Sequence, residues 1–90
     1  MQVTNNADKD RYEIEVDGRP AGHAEYRVED DRVVFTHTEV DDSFEGQGVG
    51  SRLAAGALDE VRATGRRVVP QCPFIAAYID RHEEYRDLVA

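Results

Sequence analysis

Glycine alternates with other residues in Glu45-Gly46-Gln47-Gly48-Val49-Gly50, a composition with one strong chemical use at the head of a helix. With no Cβ in the way, successive backbone N–H groups converge where the helix dipole is positive and hold a pyrophosphate without an obligatory basic side chain. A flexible surface loop is the plain alternative. Two familiar phosphate loops do not fit: a dinucleotide G-x-G-x-x-G needs glycine where the chain has Ser51 or Leu53, and a Walker-type loop needs Gly-Lys-Ser/Thr where it has Gly50-Ser51-Arg52. Cys72 precedes Pro73 at a predicted helix start, where free N–H groups and the macrodipole stabilise a thiolate nucleophile. Lone cysteines also serve as inert small apolar residues. His37 and Glu39 stand two apart in a β-patterned run, so they share a face and the carboxylate can orient the imidazole as a base. A solvated carboxylate is the simpler reading of Glu39, and a half-exposed strand residue is the alternative for His37. His23 and His82 read as structural, and three scattered histidines make no metal site.

The segments that must position these groups divide the chain in two. Tyr12, Ile14 and Val16 alternate with charged residues and run into the hairpin pair Asp17-Gly18. Ala24, Tyr26 and Val28 alternate in the same way up to the turn cluster Glu29-Asp30-Asp31. Residues 32–40 predict the longest strand, with Phe35, His37 and Glu39 on one face and Val34, Thr36, Thr38 and Val40 on the other. The period then changes. Val49, Leu53, Ala57 and Val61 predict an amphipathic helix from 49 to about 63, closed by Gly65, with Gly56 a mild weakness. A short strand at 67–69 ends at Pro70, and Pro73 opens a helix reaching about His82, with Phe74 and Tyr78 on its core face. A right-handed crossover sets strand 67–69 parallel to strand 32–40. The predicted fold is α+β, an antiparallel meander extended by a β-α-β-α unit into a mixed sheet with two helices. It forms one domain over residues 1–90, with the polar first ten loosely held.

Composition excludes several classes. Nineteen acidic against eleven basic residues give a net charge of −8, which disfavours nucleic acid and anionic membrane surfaces. No run of 18 apolar residues spans a bilayer and no secretory segment follows Met1. The single cysteine excludes an intramolecular disulfide and fits a reducing, cytoplasmic setting. Residues 1–45 carry 13 acidic and 5 basic side chains, whereas residues 46–90 carry 6 of each. One half thus attracts cations and the other tolerates an anion. A core this small gains from a bound ligand or a second copy, so a monomer or weak dimer is expected.

The ordered blocks His37-Thr38-Glu39-Val40, Gly46 to Ser51, Val69-Pro70-Gln71-Cys72-Pro73-Phe74 and Arg81-His82-Glu83-Glu84-Tyr85 resemble the GNAT N-acetyltransferase superfamily, in its small single-domain Yjdj-type branch. The resemblance spans roughly residues 10–89. It implies an acetyl-CoA-dependent N-acetyltransferase acting on a primary amine, with a GNAT-like sheet and a cofactor cleft between two splayed parallel strands. Pantetheine would run along the strand ending near Val40, with Pro73 beside the cleft, and the diphosphate would meet the amides of Gly46, Gln47, Gly48, Val49, Gly50 and Ser51. In that branch the Cys-Pro-Phe cysteine, here Cys72, is the proposed catalytic residue, paired with the His-Thr-Glu-Val histidine, here His37. Transient acetylation of Cys72 and direct attack by the amine are both compatible with the sequence. Tyr78 is a second candidate proton donor for the departing thiolate, and one or two of the arginines at 52, 66, 67, 81 and 86 are candidates for the 3′-phosphate. Glu45 departs from the superfamily's Gln/Arg at the loop's first position, and the chain lacks the helices that cover the acceptor side. A cationic amine such as a lysine side chain or polyamine suits the acidic half. The competing class is a CoA-binding or protein-interaction module without turnover.

Overall fold

Alternating apolar residues fold the first forty positions into four antiparallel strands in the computed structural model, which describes residues 1–90. These are β1 (Gln2–Asn6), β2 (Arg11–Val16), β3 (Arg19–Glu29) and β4 (Arg32–Val40). Asp17 and Gly18 both take positive φ, 51° and 77°, as the tight primed turn between β2 and β3 requires. Helix α1 (Val49–Thr64) then crosses to β5 (Arg67–Pro70), which pairs parallel to β4 from Arg32↔Arg67 to Phe35↔Pro70. Helix α2 (Pro73–Arg81) and a 3-10 segment, Glu83–Leu88, complete the chain. The result is an α+β fold on a mixed five-stranded sheet of order β1-β2-β3-β4-β5. No helix is long and apolar enough to cross a membrane.

The first residues differ from the expectation of a loosely held end. Gln2–Asn6 pair with β2, from Gln2↔Glu15 to Asn6↔Arg11. Val3 packs so closely on α1 that a Cβ at Gly56 would lie 2.8 Å from its side chain. The glycine that weakens α1 locally is therefore what lets β1 approach it. Tyr26 fastens the same strand, its hydroxyl donating to Asn5 Oδ1 at 2.6 Å.

One core lies between the sheet and both helices. Val49, Leu53, Ala54, Ala57, Leu58 and Val61 form the buried stripe of α1, and Ile75 and Ile79 that of α2. They meet Tyr12, Ile14, Ala24, Tyr26, Val33 and Phe35 from the sheet. Each fully buried Leu, Ile or Phe contributes about 1.5–3 kcal/mol. Burial pushes the Tyr12 hydroxyl up to about 12, so it stays protonated inside the core. The C-terminal end is pinned by Tyr85, which donates to Asp59 at 2.8 Å, and by the two-pronged Arg62–Asp87 pair at 2.9 Å.

Four carboxylates sit below their ordinary range: Glu13 through its bond from Arg11, Glu39 beside His37, Asp41 through Ser43, and Asp87 through Arg62. A depressed folded value means stability that is present above the unfolded carboxylate range near pH 4 and is lost as pH falls through the folded value. Urea melts should therefore give a lower midpoint at pH 3 than at pH 7. Replacing Asp87 by Asn should narrow that gap, and an unchanged gap in the variant would show that this pair contributes nothing to it.

The long strand carries a correction. Glu25 faces His37, yet the next β3 residue, Tyr26, faces Phe35, so Thr36 is an extra residue on β4. A β-bulge resets the alternation of side chains beyond it. Phe35 consequently shares the helix-covered face with Thr38 and Val40, while His37 and Glu39 emerge on the opposite face, which no helix covers. Strict period-two reading had joined Phe35 to His37 and Glu39.

Candidate functional site

The glycine loop leaves most of its backbone N–H groups without acceptors. Gly46 and Gly48 have φ of 82° and 74°, and no atom lies within 4 Å of where a Cβ would stand at either. Gly48 caps α1 without a side-chain bond, and Arg52 N–H is the first in the helix to find its carbonyl, that of Gly48, at 3.1 Å. The amides of Gly46, Gly48, Val49, Gly50 and Ser51 donate to no backbone or side-chain acceptor. Gln47 differs, because its N–H is spent on Phe44 O at 3.3 Å. Glu45 is exposed at the end of the preceding 3-10 turn. Five unfilled N–H groups at the positive end of a helix fit a diphosphate.

A cleft begins beside them. Pairing of β4 with β5 stops at Phe35↔Pro70, since proline has no N–H to extend the ladder, and Cys72 N–H to Phe35 O at 2.9 Å is the last backbone bond across the gap. His37 to Val40 keep their β3 partners but have none on the β5 side. The walls of the cleft are this free strand edge and the first turn of α2, which Pro73 opens. Phe74 is 41% exposed instead of core. Its ring reaches over Gly50, where a Cβ would lie 2.8 Å from it and 3.5 Å from the Val40 side chain. Val40, Gly50 and Phe74 thus meet between the amide array and the cleft.

Cys72 lies at the N-cap of α2 and is buried, 3% exposed, with Sγ 3.4 Å from Thr38 Oγ1. Its neighbour across the gap is therefore Thr38, and the adjacent His37 points to the other sheet face. The expected Cys72–His37 contact is not formed. The His37–Glu39 partnership is: Nε2 lies 3.1 Å from Glu39 Oε1, with side chains 52% and 63% exposed. His23 joins them, its Nε2 3.0 Å from Glu25 Oε2 and 3.7 Å from Glu39 Oε2.

On this open face a groove of about 690 Å³ runs beside Glu39 and Val40, lined also by Arg11, Glu13, Glu15, His23, Asp41 and Asp42. Tyr78, one turn beyond Phe74, stacks on His82 with ring centroids 3.9 Å apart. Burial pushes its hydroxyl up, and that hydroxyl has no protein partner. Arg62, Arg67 and Arg86 are committed to the C-terminal segment, whereas Arg52, Arg66 and Arg81 make no ion pair.

Sequence reasoning missed Thr38 and His23. Thr38 needed the bulge to turn it toward Cys72. His23 carried a visible signal, since it stands two from Glu25 on a strand, but its approach to Glu39 depends on register between strands.

The fold agrees with what comparison finds. A family model described as GCN5-related N-acetyl-transferase matches residues 11–88. The solution structure of a GCN5-like protein from Staphylococcus aureus superposes with a TM-score of 0.74 over 99% of this chain and 87% of that one, at 21% sequence identity. No curated protein matches the chain. Nearly the whole chain lies within the family's span, so the protein belongs to the GCN5-related N-acetyltransferases.

Proposed function

We propose that the chain, as a single domain, transfers an acetyl group from acetyl-CoA to a primary amine. The observation that carries this reading is the set of five amides without acceptors at the head of α1, opening onto the free edge of β4. Gly46, Gly48, Val49, Gly50 and Ser51 hold the diphosphate, and Val40, Pro73 and Phe74 line the path of the pantetheine arm. Acetyl-CoA, when bound, supplies the acetyl group as an activated thioester.

His37 is the base. With Nε2–H given to Glu39, Nδ1 is the free acceptor, and it takes a proton from the incoming ammonium or amine on the open face. Glu39 fixes the ring and stabilises the imidazolium. The acidic groove suits a cationic amine, because its carboxylates outnumber its one arginine and concentrate positive charge. Tyr78 keeps a proton on its hydroxyl at neutral pH, available to a departing thiolate. Cys72, buried against Thr38 with no base beside it, favours direct attack by the amine over a covalent acetyl-cysteine.

Radiolabelled acetyl-CoA offered with a panel of amines, including spermidine and a lysine peptide, tests the scheme. Label should pass to an amine with none retained on the protein, and Cys72→Ala should cost less than about tenfold in turnover, well below what loss of a positioned base costs. Label trapped at Cys72 would replace direct attack by a two-step transfer. A rise in melting temperature with CoA but no labelled amine would make the domain a cofactor-binding module, and no rise at all would leave it an interaction domain.

A further inference from the structure

The open face of the sheet carries a checkerboard of charge. Strand register sets Arg11, Glu25 and His37 in one row and Glu13, His23 and Glu39 in the next, across β2, β3 and β4. Opposite signs alternate along both rows and down each strand. Arg11 is 2.7 Å from Glu13, His23 3.0 Å from Glu25, and His37 3.1 Å from Glu39. Glu39 alone touches two imidazoles, His37 through Oε1 and His23 through Oε2. His23 is also the most covered histidine of the pair, its side chain 19% exposed against 52% for His37. No three of these side chains converge to hold a metal ion.

From this geometry we infer that His23 is a positioning residue for His37, acting through the carboxylate of Glu39 that the two share. Resting on the reading of His37 as base, it deepens that reading. Glu39 can give its full charge to His37 only when His23 is neutral or held by Glu25. When His23 is protonated it draws on Oε2 and opposes a second positive charge on the neighbouring strand. The other charged groups around the pair are Glu25 on β3, Arg11 and Glu13 on β2, and Asp41 and Asp42 where the groove passes the end of β4. Arg11 is spent on Glu13, which leaves Glu39 as the shared acid. His23 thereby links acceptor binding to base strength: a cation entering the groove disfavours protonation of His23 and frees Glu39 for His37.

Imidazole NMR titration of the intact chain tests this without turnover. His23→Gln, which keeps a hydrogen-bonding side chain toward Glu25, should move the His37 titration midpoint up by at least about 0.8 unit, twice the roughly 0.4 unit that one unit charge exerts directly on a diagonal strand neighbour in water. In a Glu39→Gln background the same substitution should give at most half that displacement. An immobile midpoint in His23→Gln, or equal displacements in the two backgrounds, overturns the inference; an unchanged amide spectrum shows that each variant is folded. The acid limb of the pH–rate profile should follow the NMR displacement. If the NMR coupling is present and no acetyl transfer is found with any amine, the coupling stands and the catalytic reading falls.

Discussion

Replacing His37 by alanine is expected to lower the rate of acetyl transfer by about two to four orders of magnitude, the contribution of a positioned general base. The side chain is half exposed, lies on the face away from the core and pairs with Glu39, so its removal leaves core packing intact. The melting temperature and the CoA-induced stabilisation should therefore match those of the parent chain. That separation makes the experiment informative. A core defect would lower stability and activity together, whereas loss of a base lowers kcat while the cofactor site survives. Glu39→Gln should produce a smaller loss in the same direction, because the ring remains but loses the charge that stabilises its protonated form. The glutamate is held below its ordinary range by His37 first and by His23 to a lesser degree, so it is ionised throughout the neutral range where it would act. Turnover in His37→Ala within a few-fold of the parent would remove the histidine from the mechanism while leaving the amide array untouched.

Gly48→Val should weaken CoA binding by about 5- to 30-fold, the equivalent of the backbone strain that the bound conformation must then carry. The reason is backbone conformation. At φ of 74° a β-branched residue is strained, and no neighbouring atom would obstruct its Cβ, so the cost falls on the chain's own path into α1. The strain of about 1–2 kcal/mol is relieved by fraying the first turn, which turns Val49, Gly50 and Ser51 N–H away from their common focus. Asparagine tolerates the left-handed region, so Gly48→Asn should recover most of the binding. Equal losses in the two variants, measured by calorimetry with CoA, would instead indicate that any side chain at this position blocks the ligand. Binding by both at the parent's affinity would show that the diphosphate is held elsewhere.

The local chemistry of this protein is written in its sequence because it depends on neighbours in the chain. Alternate glycines at a strand-to-helix junction specify free amides at a positive helix end, and the three- and four-residue spacing from Val49 to Val61 specifies which side of α1 is buried. Gly65 and Pro73 mark where one helix stops and another starts, as left-handed cap and first-turn proline require. Even the parallel pairing of β5 with β4 follows from the strand–helix–strand order.

What tertiary structure alone decided is which of these groups meet. A polar opening segment offers no periodic signal, yet Val3 finds a glycine on α1 to pack against and the segment becomes an edge strand. The extra residue at Thr36 is invisible to a pattern of period two, because a bulge is fixed by the competing demands of two neighbouring strands and not by the composition of one. That single insertion sends His37 to the open face and Thr38 to Cys72, separating a histidine and a cysteine that the family resemblance had paired. The same register brings His23 to Glu39 across β3 and β4. Side-chain type is a property of the chain, but the face on which it emerges depends on the cumulative register of the sheet, which is settled only when every strand has found its partner.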